Sequence, residues 1–369
     1  MHLGMDPEFV IVNKLGRPIP AHKAGIPGPG EKRMLAPDPA TTDERTGKLR
    51  YNPETDWQTR CFRDGYMVEF NVRPQTCRQS LTHLLRNGVA ILQRELKEKG
   101  LTLAAIPAVR INLARDMKDA PPDVMQFGCK PSLDAYNGEV KIPPIDAISH
   151  PYRYAGGHMH FGYSGNEEEK WMLNKDNHAD AVKLLDLYLG LPLTALFNNR
   201  RTYLRRRYYG QAGEYRSQQY LKPDSHKPAH WADTQWAAYV KTQVGIEYRT
   251  PGPEMWNAAW VASFAYGVGR FVMTGYKQLL KKYDRKLGDG VRAAINTGYQ
   301  LDEMLKYATL VTGNNDYPTQ EFLAYMVKSA PSKFGLLTDG EQAVTNGFRD
   351  WAYQRADLKV ATNNGRYLA

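Results

Sequence analysis

Pairs of polar side chains separated by one residue recur four times in the 369-residue chain, each within a run of apolar residues. In a β-strand, residues i and i+2 point to the same face, about 6 to 7 Å apart, so the members of each pair would lie side by side. The alternate residues, among them Met5, Phe70 and Met159, are apolar and predict an opposite face that packs on helices. The pairs combine carboxylates, imidazoles, an amide and a guanidinium, which are groups that bind metal ions and phosphates. They are Asp6 and Glu8, Glu69 and Asn71, His158 and His160, and Glu247 and Arg249.

Four of these side chains are carboxylates, and they would converge if the four strands were neighbours in one sheet. Their mutual repulsion would raise their pKa values unless cations neutralised them, and two divalent ions would balance four negative charges. An oxygen-rich ligand set with one imidazole favours Mg²⁺ or Mn²⁺ over structural zinc. The predicted metal ligands are Asp6, Glu8, Glu69, His158 and Glu247.

Arginine is concentrated in residues 200–216, which contain six. Such a stretch indicates either a local anion site or a solvated basic face. The whole chain has 49 Lys+Arg and 39 Asp+Glu, a formal net charge of +10. This balance suits polyphosphate ligands, acidic substrates or nucleic acid, and by itself it selects none of them.

The elements that position the polar pairs follow from apolar periodicity and from Pro and Gly. Mixed strands with helices on one side, without regular βαβ alternation, predict an α+β fold. We expect a core over residues 1–254 and a helical C-terminal region over residues 255–369. Gly156 and Gly157 indicate a close backbone approach beside the histidines. Strands are predicted at 4–12, 66–72, 103–111, 158–163 and 244–249, helices at 78–99, 177–197 and 256–280, and a covering loop at 18–53.

Cellular location is predicted from what the sequence lacks. Cys61, Cys77 and Cys129 form no CxxC pair, so neither a zinc knuckle nor a disulfide framework is expected. The first residues do not resemble a signal peptide, and no apolar run approaches the length of a membrane span. We therefore predict a cytoplasmic protein without a membrane partner, and the local arginine stretch makes a nucleic-acid partner less expected than a small anion.

Six segments together resemble the glutamine synthetase and glutamate–cysteine ligase superfamily, most closely its phage-associated carboxylate–amine ligase type 2 branch. They occur in the family's order and cover roughly residues 1 to 260. The segments are GMDPEF, RDGYMVEFNVRP, FGCKPS, YRYAGGHMHFG, RRTYLRRRYYGQAGEYR and GIEYRTPGPEMW.

The resemblance implies a glutamine synthetase-like curved antiparallel sheet with helices on its outer face, two or more Mg²⁺ or Mn²⁺ ions, and ATP. A carboxylate would take the γ-phosphate to give an acyl phosphate, and an amine would displace phosphate to leave an amide. The family's acidic ligands correspond to Asp6, Glu8 and Glu69, with Asp64 as a companion. Its histidine and glutamate of a further metal site correspond to His158 and Glu247.

The phosphate-binding arginine of the family corresponds to Arg249. Arg205, Arg206, Arg207 and Arg216 are further candidates to hold the phosphate or the substrate carboxylate, because a guanidinium binds such groups in a bidentate manner. Asn71 and His160 complete the predicted nucleotide-binding set. The substrates would be a small-molecule or peptide carboxylate and amine, and their identity and the oligomeric state stay open.

Two other functions remain compatible with the sequence. A metal-dependent amidohydrolase would use the two histidines with carboxylates on zinc, and would need further ligands such as His22, His83 or His178. A non-catalytic phage protein, associated with the virion, could retain the ligase fold. In that case the protein would occur in the assembled particle as well as in the host cytoplasm.

Overall fold

The computed structural model describes residues 1–31, 33–37, 57–127, 131–220, 232–257 and 259–305. Part of the predicted covering loop (38–53), Cys129 and the predicted helical pieces after residue 305 lie outside these ranges. Within them, no helix is both long enough and apolar enough to cross a membrane.

Thirteen strands occur in the described residues. They are β1 (His2–Asn13), β2 (Pro18–Ile19), β3 (Arg33–Pro37), β4 (Trp57–Asp64), β5 (Met67–Gln75), β6 (Leu101–Ala104), β7 (Ala108–Arg110), β8 (Ser132–Asp134), β9 (Val140–Lys141), β10 (Tyr152–Tyr154), β11 (Gly157–Gly162), β12 (Glu214–Gln219) and β13 (Val244–Tyr248).

Nine α-helices accompany the strands in the same ranges, and a π-helical turn at Asp186–Gly190 joins the third to the fourth. Short 3-10 helices cover Ala21–Ala24, Glu167–Leu173, Lys175–Asn177 and Pro253–Asn257. The α-helices are α1 (Arg78–Glu98), α2 (Leu113–Asp116), α3 (His178–Leu185), α4 (Leu191–Leu196), α5 (Arg200–Arg206), α6 (Asp233–Thr242), α7 (Ala259–Thr274), α8 (Tyr276–Leu280) and α9 (Arg285–Thr297).

Eleven of the strands form one open sheet in which all neighbours are antiparallel. Its main order is β3-β4-β5-β1-β11-β13-β12-β8-β9, while β2 and β6 pair with the C-terminal part of β1. The four strands that carry the polar pairs, β5, β1, β11 and β13, are therefore consecutive neighbours. The condition on which the predicted site depended is confirmed.

One face of the sheet is apolar and packs on helices, as the alternation predicted. Phe9, Phe70, Phe161 and Ile246 are fully buried in a core shared with α1, α3, α4 and α7. On the opposite face, the polar pairs adjoin a smaller apolar cluster that includes Val10. The predicted α+β class, an antiparallel sheet with helices on one side, is confirmed.

The predicted strand at Leu103–Ile111 is wrong, because the segment forms two strands in different sheets. Strand β6 pairs with β1, whereas β7 pairs with β10. Pro107 lies between them, and proline cannot donate a hydrogen bond to a continuing ladder. Its own carbonyl instead accepts from the Ala155 N–H, at 3.1 Å.

The described part of the predicted C-terminal region packs on the sheet. Val261, Phe264 and Ile295, from α7 and α9, lie in the same apolar core as the helix-facing residues of β1 and β5. The division into two domains at residues 254 and 255 stays a prediction.

Candidate functional site

The sheet register brings the predicted polar pairs to one face as cross-strand neighbours. Residues opposite each other on antiparallel strands have adjacent side chains, so the register decides which groups meet. The register pairs are Glu8 with Glu69, Asp6 with His158, His160 with Glu247, and Arg216 with Glu247.

A triad of carboxylates forms the most acidic part of this face. One oxygen each from Glu8, Asp64 and Glu69 lies within 4.8 Å of the others. Burial, and then the neighbouring Asp64, raises the pKa of Glu8 to about 7. Burial raises the pKa of Asp64 despite the opposing effect of Arg249, and burial together with Asp6, Asp64 and Glu8 raises the pKa of Glu69. The three groups therefore form a site that a cation would stabilise, as the sequence predicted for converging carboxylates.

Gly156 and Gly157, at the start of β11, allow close backbone contacts beside this triad. The N–H of Gly156 donates to Glu8 Oε2 at 2.6 Å. A Cβ on Gly157 would lie 2.3 Å from the carbonyl oxygen of Gly252, which is closer than side chains tolerate. The predicted close approach is confirmed, and the Gly156 N–H holds the Glu8 carboxylate in place.

His158 lies between two carboxylates of the face. Its Nδ1 atom is 3.6 Å from Glu8 Oε1 and 3.7 Å from Glu247 Oε1. Both separations are too long for hydrogen bonds. Two donor atoms that bind one metal ion at about 2.1 Å, with an angle of about 90° to 120° at the metal, lie about 3.0 to 3.6 Å apart. The distance from His158 to Glu8 lies at the upper end of this range. Burial, and then Arg249, lowers the pKa of His158 well below its usual value, so the imidazole is neutral and can act as a ligand.

Glu247 is surrounded by cations and so differs from the triad. Arg249 pairs with Glu247 Oε1, the Arg216 Nη1 atom lies 3.1 Å from the same oxygen, and Gln218 donates to Oε2 at 2.5 Å. Burial alone would raise the pKa of Glu247, but Arg249, and then His160 and Arg216, hold it below its usual range. Glu247 is therefore ionised, and its negative charge is already balanced in part by arginine.

The remaining polar pair members have partners within the face. His160 Nε2 lies 2.7 Å from Asp6 Oδ2. Burial alone would lower the pKa of His160, but the Asp6 carboxylate raises it. Asn71 donates to Glu69 Oε1 at 2.9 Å. Asp6, a predicted metal ligand, thus pairs with His160. Asp64, predicted as a companion of the ligands, joins Glu8 and Glu69.

Two of the predicted phosphate-binding arginines serve the backbone instead. Arg205 is fully buried and donates to the carbonyls of Arg249, Thr250 and Pro251 at 2.9 to 3.0 Å. Arg206 is also buried and donates to the Ile295 carbonyl. The structure therefore does not bring these two guanidinium groups to the polar pairs. Arg216 and Arg249 are the predicted arginines that it places beside Glu247.

Glu214 is a site residue that the sequence reasoning missed. It accepts from Arg249 Nε at 3.3 Å, from Ser132 Oγ at 3.0 Å and from the Gly210 N–H at 2.7 Å. The tripeptide Glu-Tyr-Arg occurs at 214–216 and again at 247–249. On neighbouring antiparallel strands, the two copies form reciprocal ion pairs, Arg216 with Glu247 and Arg249 with Glu214. This repeat was the available signal.

Tyr209 was also missed, and no spacing in the sequence indicates it. The residue follows α5 in a turn, outside any strand. Its hydroxyl nevertheless contacts Glu8, His158 and Arg249. Only the tertiary structure brings this turn onto the sheet.

Comparison with known proteins adds a partial family match. Residues 145–241 match the family described as phage phiEco32-like COOH.NH2 ligase type 2. The matched stretch contains β11 and the arginine-rich segment, so the resemblance recognised in the sequence is confirmed there. The match supports an amide-forming carboxylate–amine ligase.

The chain is also similar to solved structures. The chain is similar to a bifunctional glutathione synthetase from Pasteurella multocida, with a TM-score of 0.45 and 12% identity over 98% of this chain and 51% of that one. The chain thus spans about half the length of that enzyme. It is similar to a novel glutamine synthase homologue with a TM-score of 0.38 and 13% identity over 97% of this chain and 70% of that one. No curated protein sequence matches the chain.

Proposed function

We propose that the protein is an ATP- and divalent-metal-dependent carboxylate–amine ligase that forms an amide through an acyl phosphate. The observation that carries this proposal is the polar sheet face, on which the Glu8, Asp64 and Glu69 triad adjoins His158 and the arginine-bound Glu247. Phosphoryl transfer requires charge neutralisation and in-line positioning more than covalent help from the protein. Carboxylates for cations and arginines for phosphate are suitable equipment for that task.

The donor set fits Mg²⁺ or Mn²⁺. The triad offers three carboxylate oxygens within 4.8 Å of one another. His158 Nδ1, 3.6 Å from Glu8 Oε1, could bind a second ion together with Glu8. When bound, such ions would neutralise the phosphate oxygens of ATP. The triad consists of carboxylates, and an oxygen-rich donor set of this kind favours Mg²⁺ or Mn²⁺ over the zinc of an amidohydrolase.

The chain's own groups divide the remaining work. Arg216 is one-fifth exposed and can reach a transferred phosphate, whereas Arg249 is 2% exposed and fixes Glu247, Glu214 and Tyr209 in place. A carboxylate oxygen of the substrate would attack the γ-phosphorus as the bond to ADP breaks. The amine would then attack the acyl carbon, and phosphate would leave.

The substrate carboxylate is expected to come from a cleft beside Glu214. The cleft is lined by Lys141, Ile142, Arg207 and Tyr208, among others. Its walls are partly apolar, and Arg207 is exposed there, whereas Lys141 is paired with Asp134 at 3.0 Å. Arg207 therefore offers a cation for a carboxylate-bearing substrate with an apolar portion. We propose an amino acid or peptide as that substrate.

The proposal is tested by trapping the acyl phosphate. The protein is incubated with ATP, Mg²⁺ and mixtures of amino acids or peptides, with hydroxylamine as the amine, and hydroxamate and ADP are measured. We expect carboxylate-dependent formation of both. Glu247→Gln is expected to abolish it, because the neutral amide weakens the metal site and removes one of the two carboxylates that pair with Arg249. Glu98→Gln, at an exposed position in α1, is the matched control.

Binding measurements decide between this function and its alternatives. If the protein bound no ATP at millimolar Mg²⁺ or Mn²⁺, the ligase proposal would be abandoned. Stoichiometric zinc without nucleotide binding would favour the amidohydrolase. An intact protein that binds ATP and Mn²⁺ but gives no hydroxamate with any carboxylate mixture would favour a non-catalytic role.

A further inference from the structure

Glu214 is the only carboxylate among the described residues that line the cleft, and its oxygens are already occupied. Its Oε1 accepts from Ser132 Oγ at 3.0 Å and from Arg249 Nε at 3.3 Å. Its Oε2 accepts from the backbone N–H groups of Gly210 and Gln211, at 2.7 and 3.2 Å. An ionised carboxylate offers about four lone-pair positions, and four donors fill them. Glu214 therefore has no acceptor position left for the ammonium group of a substrate.

The two cations of the cleft differ in the same respect. Lys141 Nζ lies 2.6 Å from Gln211 Oε1 and 3.0 Å from Asp134 Oδ2, so its charge is paired within the protein. Arg207 is exposed, and its guanidinium has neither a hydrogen bond nor an ion pair with any other described residue. Arg207 can therefore bind a substrate carboxylate in a bidentate manner.

The rest of the lining is largely apolar and includes Ile142, Pro143, Pro144 and Tyr208. The Tyr208 ring is stacked on that of Tyr154, with centroids 5.5 Å apart and planes at 26°, so this wall is held in place. Ile142 is 69% exposed, and its side chain is available to a ligand. Burial of such a side chain against an apolar group of a substrate would contribute to binding.

The cleft is longer than a single amino acid. Glu214, Ser132 and Lys141 all line it, and they belong to the consecutive neighbouring strands β12, β8 and β9. Neighbouring strands are about 4.8 Å apart, so the lining extends for about 10 Å across the sheet. Extended peptide rises about 3.3 Å per residue, and this length therefore matches about three residues.

We propose that the cleft binds a carboxylate whose α-nitrogen is acylated, as at the C-terminus of a peptide, and discriminates against free amino acids. The inference rests on the proposed function, since it narrows the substrate of the same ligase. In a free amino acid, the ammonium is attached to the carbon next to the carboxylate. It would lie near the Arg207 guanidinium with no free carboxylate of the cleft to pair with it. Acylation removes that positive charge, and the preceding residues of a peptide would occupy the remaining length of the cleft, beside Ile142.

The test compares matched ligands that differ in the α-nitrogen. Each protein amino acid is offered free, as its N-acetyl derivative and as the last residue of an acetyl-Ala-Ala tripeptide. Aspartate and glutamate are left out, because their side-chain carboxylates lie apart from the ammonium. Binding without ATP is measured by saturation-transfer difference NMR. For the residues that bind, we expect the acylated forms to bind at least about tenfold more tightly than the free amino acid, because like charges brought together oppose binding.

A further ligand separates charge from size. For each residue that binds, the same carboxylic acid without its amino group is tested, such as 4-methylpentanoate for leucine. This acid is smaller than the amino acid and lacks the ammonium. We expect it to bind more tightly than the amino acid, whereas an effect of cleft length alone would make it bind no better.

Two pairs of variants locate the binding in the cleft. Arg207→Ala is expected to weaken binding of the acylated ligands at least about tenfold, and Arg200→Ala, at another exposed arginine, should leave it unchanged. Ile142→Ser should weaken binding of the tripeptides severalfold. Ile148→Ser is its matched control, because Ile148 is 60% exposed and does not line the cleft.

Equal affinity for free and acylated forms, or unchanged binding in Arg207→Ala, would overturn the inference. Hydroxamate formation with ATP is then measured for the same ligands. Hydroxamate from free amino acids but not from acylated ones would retain the ligase and overturn the inference. Acylated ligands that bind through Arg207 but give no hydroxamate would refute the ligase and leave the specificity of the cleft standing. Absence of both binding and hydroxamate with every ligand would overturn both.

Discussion

Replacing Glu8 with glutamine is expected to stabilise the metal-free protein at alkaline pH. Glu8 is 2% exposed, and burial together with the neighbouring Asp64 raises its pKa from the ordinary 4.5 to about 7. The folded protein therefore holds the Glu8 proton over a pH range in which the unfolded chain has released it. Because folding takes up a proton in that range, stability falls as pH rises from about 4.5 to about 7. Glutamine has no proton to release and lacks this penalty.

The size of the effect follows from the two pKa values. Their difference corresponds to about 3 kcal/mol in full, and most of it develops between about pH 5 and about pH 8. The buried histidines titrate in the same range, and burial lowers the pKa values of His158 and His178, which stabilises the protein as pH rises. The difference between variant and unaltered protein cancels the contribution of groups away from Glu8, such as His178. It retains any change at Glu69, whose pKa the Glu8 carboxylate also raises, and loss of that carboxylate acts in the same direction.

The assay is urea unfolding in the presence of EDTA at about pH 5 and about pH 8. The free energy of unfolding of Glu8→Gln, relative to the unaltered protein, is expected to rise by about 2 to 3 kcal/mol between the two pH values. Glu98→Gln should show no such change. With Mn²⁺ added at about pH 8, the unaltered protein should gain stability and Glu8→Gln should gain less, because a lost carboxylate weakens binding to the folded state. A relative stability of Glu8→Gln that is equal at both pH values would refute the reasoning.

Three further substitutions probe the surroundings of the site. Arg205→Lys is expected to cost about 2 to 4 kcal/mol in urea unfolding, because lysine cannot serve three buried carbonyls at once, and a loss below about 1 kcal/mol would contradict this role. Gly157→Ala should lower stability by about 1 to 3 kcal/mol through the clash with the Gly252 carbonyl; an unchanged melting temperature would show that the approach is not close. Arg207→Ala should raise KM for the carboxylate about tenfold with kcat nearly constant. Arg200→Ala, at an exposed position, should change neither constant. A KM of Arg207→Ala equal to that of the unaltered protein would show that the cleft is not the substrate site.

The spacing of apolar residues was sufficient to predict the strands and helices in which it alternates or repeats clearly. Alternation in Val-Glu-Phe-Asn-Val identified β5 and the face of Glu69, and leucine spacing identified α1 nearly to its ends. Strand β12 was not predicted, because its residues, Glu-Tyr-Arg-Ser-Gln-Gln, give little apolar alternation beyond Tyr215. Its place in the sheet depends on pairing with β13, which is a long-range contact.

The sequence by itself determined which side chains share a face within each strand, because the pleat of the backbone alternates them regardless of the rest of the fold. It therefore identified Glu8, Glu69, His158 and Glu247 as members of polar pairs. Only the tertiary structure decided which of these pairs meet, since register and strand order are set by contacts between distant segments. That is why Asp64 joins the triad while Asp6 pairs with His160. It is also why Tyr209, from a turn without any period, reaches the centre of the site.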